Sequence, residues 1–251
     1  MPIELTYPEP HLAVVTIDNA GKRNALGPDE FKGLAGAWEA LAVRDDVRCV
    51  VVTGRGSQAF CSGAQLDSDF SVLGDVDEWV DRALLKTRFF PIPIVAAVNG
   101  HCVAGGLELM ISCDIRIVSD KALLGLPEVR WGIVPSGGAA MKLVDQLGYA
   151  QAMHMLLTGE LMSAAQALGI GLINQVRPAD EVLSTAMAIA RQIAANSPRA
   201  VRHTKRLALA KRMERWAEQE IDERRAALDA RSGPDLQKGL AAFLSKTQPV
   251  Y

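Results

Sequence analysis

The sequence predicts an α/β domain, and three observations carry that prediction. Short apolar runs such as Cys49-Val50-Val51-Val52-Thr53 and Ile92 to Val98 lack polar interior positions. Runs of that kind are buried on both faces of a parallel sheet. They alternate with segments of helical spacing over the first two-thirds of the chain, and alternation of strands and helices is the mark of α/β architecture. The last third is helical, Ala-rich and charged, with no Pro/Ser/Gly linker to set off an independent domain.

In chain order, Leu12 to Ile17 reads as a strand after the Pro8-Glu9-Pro10 turn. Pro28-Asp29-Glu30 opens a helix, because proline suits the first helical turn, and Phe31, Leu34, Trp38 and Leu41 share one face. The strand at Cys49–Thr53 ends at Gly54-Arg55-Gly56, and residues 57–75 read as irregular. A helix is expected over roughly 76–88, a strand from Ile92 to Val98, and a helix starting at Gly105-Gly106. Ile115 to Val118 is a short strand, and Gly137-Gly138 precedes an amphipathic run to Leu147. Ser163 caps a short helix stopped by Gly169 and Gly171. One more strand is expected at Leu172–Val176, then three or four helices.

Bulk properties exclude several functions. The 251 residues are 49% hydrophobic and carry a formal charge of −2, so nothing favours bulk attraction to nucleic acid or an anionic membrane. No apolar run approaches the ~18–20 residues of a membrane span, and Met1-Pro2-Ile3-Glu4 does not begin a signal peptide. The chain therefore reads as cytoplasmic. Cys49, Cys61, Cys102 and Cys113 form no CxxC pair and have no histidine at zinc spacing, so they read as buried free thiols and no metal is expected. There is no GxSxG, no GxxxxGK[ST], and no GxGxxG after a strand.

Two glutamates stand out. Glu108 lies in Gly105-Gly106-Leu107-Glu108-Leu109-Met110-Ile111, and Glu128 closes Leu126-Pro127-Glu128, near Leu123, Leu124, Val129 and Trp131. A buried carboxylate without a partner is costly, so its pKa rises or it finds one. Two such groups around one pocket make a general acid/base pair. The bland readings stand beside this one: Glu108 complementing a helix dipole at the surface, Glu128 solvated or paired with Arg130. Two segments of small residues add donors: Phe60 to Leu66, and Asn99 to Gly106 running into a helix N-terminus. Two backbone N–H groups from such turns suit a developing enolate oxygen, although either segment alone also fits an ordinary tight loop.

Taken together, these segments resemble the crotonase (enoyl-CoA hydratase/isomerase) superfamily. The resemblance runs through Val98-Asn99-Gly100, Gly105 to Leu109, Cys113-Asp114-Ile115-Arg116, Leu126 to Val129 and Gly132-Ile133-Val134-Pro135. Lys22-Arg23-Asn24-Ala25-Leu26, Phe60 to Leu66, Leu157 to Glu160, Ser163-Ala164, Gly169 to Asn174, Ser197-Pro198 and Gly239 to Leu244 extend it along essentially the whole chain. The two glutamates are twenty residues apart, as in the family's hydratases.

The resemblance implies a core of repeated ββα units in two near-perpendicular sheets over 1–195. A C-terminal helical region over 196–251 would pack on the core and on a neighbouring subunit of a homotrimer or a hexamer of paired trimers. It implies an acyl-CoA thioester substrate, with no cofactor beyond that coenzyme A. Ala64 and Gly105 would supply the oxyanion-hole N–H groups. Glu108 and Glu128 would flank a water added syn across a 2-enoyl-CoA to give a 3-hydroxyacyl-CoA. Lys22, Arg23, Ala25, Ser62, Gln65, Leu66, Pro127, Trp131 and Ser136 fall at substrate- or CoA-contacting positions. The basic run from Arg199 to Arg215 reads as a charged helix face, part of which, or Lys246 of a neighbour, is a candidate for the nucleotide.

Three residues depart from the family pattern: Gln65 replaces a usual Asp, Trp131 an aliphatic residue, and Ser136 a glycine. The last two point toward a short, functionalised acyl group of crotonobetainyl-CoA type. Alternatives are an isomerase, which needs only the glutamate at position 128, another crotonase-type lyase, and a non-catalytic acyl-CoA-binding regulatory protein.

Overall fold

The computed structural model describes residues 2–251. In chain order, β1 (Ile3–Glu9), β2 (Leu12–Ile17), α1 (Pro28–Ala42), β3 (Cys49–Gly54), β4 (Ala59–Cys61) and α2 (Val76–Leu84) come first. Next are β5 (Ile94–Val98), β6 (His101–Val103), α3 (Gly105–Ser112), β7 (Ile115–Ser119) and β8 (Leu123–Gly125), followed by a 3-10 turn at Pro127–Trp131. Then come α4 (Ala139–Gln146), α5 (Tyr149–Thr158), β9 (Met162–Ser163), α6 (Ala164–Gly169) and β10 (Gln175–Arg177). Three helices finish the chain: α7 (Val182–Ala194), α8 (Pro198–Ser232) and α9 (Pro234–Ser245).

Two sheets result. The larger has the order β1-β2-β3-β5-β7-β10 and the smaller β4-β6-β8-β9. All neighbours run parallel except β1 against β2 and β9 against β8. The units repeat: β3, β5 and β7 each feed, through a short turn, a three-residue strand of the smaller sheet, and β4 and β6 lead on to α2 and α3. This is the ββα repetition expected from the resemblance.

The apolar runs are buried on both faces, as their composition demands. On one face Val50, Val52, Ile94, Ala96 and Val98 join the main core with the smaller sheet and α3. On the other, Val51, Val95, Ala97 and Ile117 meet Val182, Ala186, Met187 and Ala190 of α7. All four cysteines are free and buried, and burial pushes the Cys61 thiol up to about 12.

Some local expectations shift. The expected strand at Leu172–Val176 forms at Gln175–Arg177, because Leu172 N–H bonds back to Ala167 O after α6 and Asn174 N–H to Arg116 O. The helix expected over roughly 76–88 stops at Leu84, where Leu85 turns left-handed (φ 52°). The charged run on α8 is more than a solvated face. Arg202 reaches Asp45 at 3.2 Å, Lys205 reaches Asp114 at 2.7 Å, and Arg215 pairs with Asp145, so this helix is tied to the core along its length. No helix among the described residues is long and apolar enough to cross a membrane.

Candidate active site

Glu108 sits in the first turn of α3, with its side chain turned inward and 4% of the residue exposed. Its neighbours Leu107, Leu109, Met110 and Ile111 are all buried, so no polar face exists for it. Its carboxylate is received instead by the start of α4. The N–H groups of Gly137 and Ala139 donate to Oε1 at 2.6 and 3.2 Å. Free N–H groups at a helix start favour negative charge, so this grip stabilises the ionised form.

Glu128 lies in the 3-10 turn and is equally buried, and its Oε2 finds no hydrogen-bond partner. It pairs with no cation among the described residues. Arg130 instead lies 5.9 Å from the centre of the Trp131 ring, and its carbonyl accepts the Tyr251 hydroxyl at 3.0 Å.

These surroundings separate the two acids. Burial pushes Glu128 up to about 8, and the negative charge of Glu108 adds to it. Burial also pushes Glu108 up, to about 7, reinforced by Glu223, while the Gly137 and Ala139 donors pull it back. The two N–H donors on Glu108 favour its ionised form, and Glu128 has no such donors, so Glu128 is the one to keep a proton. Apposed carboxyls of unequal proton affinity are the arrangement that divides acid and base roles.

A raised carboxyl pKa carries a stability cost with a definite sign. Glu128 costs nothing below its ordinary range near 4.5 and destabilises increasingly as pH rises toward its folded value of about 8. Glu128→Gln is therefore expected to raise the thermal midpoint, and to raise it more at about pH 9 than at about pH 5. Calorimetry at the two pH values checks this, and an equal gain at both would refute it.

The two glycine segments meet beside the pair. Gly63 takes a positive φ of 88°, and a Cβ there would sit 2.6 Å from the Ala104 Cβ, so only glycine permits this approach. Ala104 itself holds a positive φ of 53° before α3, a strained backbone of the kind found at functional sites. Ala64 and Gly105 face each other, since a Cβ on Gly105 would stand 3.9 Å from the Ala64 nitrogen. Among the described residues, neither N–H has a protein acceptor. Two neighbouring N–H groups without a protein acceptor are suited to an oxyanion.

The early turn joins the same rim. Leu26 N–H bonds Gly63 O, and Gln65 N–H bonds Leu26 O, at 2.8 and 2.9 Å. Buried Asn24 fixes the turn through the carbonyls of Arg55 and Ala59. This leaves Lys22 and Arg23 exposed at the rim, Ala25 buried under it, and Ser62 Oγ 3.5 Å from Lys22 O. Lys22 pairs loosely with Asp67 at 3.7 Å. Gln65 and Leu66 are half-buried beside them, and Pro127 begins the turn that carries Glu128. Trp131 packs edge-on against Phe243 of α9, with ring centres 5.2 Å apart. Ser136 Oγ accepts from Arg231 of α8 at 3.2 Å. His101 accepts from Leu123 N–H through Nδ1 and takes no part.

Several residues of this site were not legible in the sequence. The sequence marks Gly137 only as preceding a helix, yet it delivers the shortest bond to Glu108. Glu223 and Arg231 carry no local signal, because both lie in a helix dense in charges. An ammonium in Ala83-Leu84-Leu85-Lys86 was the one available clue.

Comparison with known proteins agrees with this geometry. Residues 9–251 match the family described as enoyl-CoA hydratase/isomerase. The chain belongs to that family. A mevalonyl-coenzyme A hydratase of Aspergillus fumigatus is 33% identical over 261 residues, 98% of this chain and 93% of that protein. The short-chain-enoyl-CoA hydratase of Clostridium acetobutylicum is 34% identical over 207 residues, 78% of this chain and 77% of that one. A solved carnitinyl-CoA dehydratase from Mycobacterium avium superposes with a TM-score of 0.92 at 33% identity, covering 100% of this chain and 98% of that one. For this hydratase/isomerase-family protein the two-sheet core and the helical C-terminal region are thus both matched by solved structures of the fold.

Proposed function

We propose that the protein is an enoyl-CoA hydratase, adding water reversibly across a 2-enoyl-CoA to give a 3-hydroxyacyl-CoA. The observation that carries this reading is the pair of buried carboxyls, one gripped by two N–H donors and one without a partner. An isomerase needs a single proton shuttle, and a second buried carboxylate would be an uncompensated cost in it.

The chemistry follows from the placement. The thioester oxygen takes the Ala64 and Gly105 N–H groups, and the C=C bond lies beside the glutamates. Glu108 accepts a proton from a water, the water oxygen bonds the β-carbon, and the electron pair of the C=C bond moves to the thioester as an enolate. The enolate collapses and the α-carbon takes the Glu128 proton. Return of the proton from Glu108 to Glu128 restores the pair, so the net change is addition of one water. The reaction needs no cofactor beyond the CoA of the substrate. Lys22 and Arg23 serve the CoA phosphates as exposed charges at the rim.

For the acyl group, a short functionalised chain is favoured. Ser136 Oγ, held by Arg231, supplies a polar wall, and relatives are named for mevalonyl-CoA and carnitinyl-CoA. The protein acts in the cytoplasm as a trimer or paired trimers.

A panel of 2-enoyl-CoA thioesters, followed by loss of the conjugated absorbance, tests the activity. Rapid loss with short chains is expected. A clear preference for long saturated tails would remove the acyl assignment. Double-bond migration without water uptake would replace the hydratase by an isomerase. Light scattering in solution is expected to give three or six times the chain mass, and a monomer would overturn the assembly.

A further inference from the structure

The pair of catalytic carboxyls is not electrically isolated. Behind Glu108 lies a third buried carboxyl, Glu223 of α8, 8% exposed. Its Oε1 accepts the N–H of Gly138 at 3.1 Å, the residue between the two whose N–H groups hold Glu108. Consecutive amides at the start of α4 therefore grip Glu108, then Glu223, then Glu108 again. Lys86 closes the group. It is 2% exposed, and its Nζ is 3.0 Å from Glu223 and 3.5 Å from Glu220.

We propose that Glu223 and Lys86 are a positioning pair, carried by α8 and the segment after α2, that fixes which catalytic carboxyl keeps its proton. The proposal rests on the hydratase reading for its consequence in catalysis, but not for the interaction itself.

The argument is one of charge count in a space without water. The buried groups facing Glu108 are Glu128 from the 3-10 turn, Glu223 from α8, Lys86 after α2, and Lys142 of α4. Lys142 donates to Leu85 O and Ser112 Oγ at 2.8 and 2.6 Å. Cys61 and Cys102, from the strands packed on α3, are neutral thiols. Asp81 of α2 is occupied by Thr87 and Arg88. Asp77 is occupied by Arg224 and Arg231. Three buried carboxyls thus face at most two ammonium groups, because burial pushes Lys142 down to about 7 and Lys86 is shared with the part-exposed Glu220, and a buried cluster avoids net charge. Neutrality requires at least one carboxyl to stay protonated. Glu128 and Glu223 each have one oxygen without a partner, but Glu108 and Glu223 accept backbone N–H groups and have a cation nearby, whereas Glu128 has neither, so the proton rests on Glu128. That is the state in which hydration starts.

The two members act in opposite directions. Loss of the Glu223 charge leaves Lys86 with only the more distant, part-exposed Glu220 and favours ionised Glu108. Loss of Lys86 leaves Glu223 uncompensated and disfavours it. A role confined to packing predicts no such reversal.

The test is a carboxyl titration by isotope-edited infrared spectroscopy, assigned with Glu108→Gln, in wild type, Glu223→Gln and Lys86→Met. Glu223→Gln retains an acceptor for Gly138 and is nearly isosteric. The Glu108 titration is expected to fall by about one pH unit in Glu223→Gln and to rise by a similar amount in Lys86→Met, the size a charge at close range exerts. Shifts in one direction for both variants, or none in Glu223→Gln, would overturn the proposal. The acid limb of kcat/KM against pH, measured on the same variants, should move with the spectroscopic titration. Opposite spectroscopic shifts in a protein that hydrates no enoyl-CoA would sustain the pair and sink the hydratase reading instead.

Discussion

Glu108→Gln and Glu128→Gln are each expected to lower kcat for hydration by roughly 10²–10⁴-fold, the range that positioned acid/base groups contribute. KM should change little, since in the proposed reaction the glutamates serve the water and the reacting carbons, and the CoA moiety is assigned to the rim of Lys22, Arg23 and Ser62. The two variants should differ in what survives. Glu108→Gln keeps an amide oxygen for the two helix-start N–H groups but removes the base and leaves Glu128 with an uncharged neighbour. Glu128→Gln removes the proton donor and leaves the Glu108 grip intact. Steady-state rates with calorimetric titration of acyl-CoA separate chemistry from binding. A Glu128→Gln protein of near wild-type rate would remove the two-carboxyl mechanism.

Gly137→Ala should be nearly as damaging from a position that carries no chemistry. A Cβ at Gly137 would lie well inside contact distance of Glu108 Oε2 and 2.7 Å from both Glu108 Cδ and Leu84 Cδ1. Real Cβ atoms do not approach so closely, so the carboxyl must move. Even about 1 Å of misplacement costs on the order of 10²-fold in rate. A kcat loss of that order is expected, with circular dichroism and acyl-CoA affinity retained. The matched control is Gly36→Ala in the middle of α1, where a Cβ meets nothing within 4 Å. It should leave the rate unchanged and stabilise the helix by roughly 0.5–1 kcal/mol. Full activity in Gly137→Ala would mean that the grip on Glu108 is not catalytic.

Where the sequence could be read, the reason is that each signal was local. Continuous apolar strands announce double burial, and β3 forms over the Val50–Val52 run while β5 covers Ile94–Val98 of the Ile92–Val98 run. Ser163 with Gln166 forms a reciprocal cap at the start of α6. The whole smaller sheet escaped, because strands of two or three residues such as β4, β6 and β9 have no period to detect. β1 escaped as well: its outer positions are exposed and it pairs as the edge of the large sheet.

The site divides along the same line. Glu108 was visible because charge in an apolar helix is anomalous. Glu128 was visible only with its neighbours, since Arg130 offered an equally simple partner. Glu223 sits among Asp222, Arg224 and Arg225, and one inward-facing carboxylate in a charged helix has no local mark. Its role arises from tertiary placement alone, through amides contributed eighty-five residues earlier.

The most direct test of the two-carboxyl hydratase is product mass after turnover of a short 2-enoyl-CoA in water enriched in oxygen-18, for wild type and both glutamine variants. The geometry predicts a 3-hydroxyacyl-CoA carrying one labelled oxygen from wild type and almost none from either variant. A product of unchanged mass with a displaced double bond, or labelled product formed equally well without Glu108 or Glu128, would contradict it.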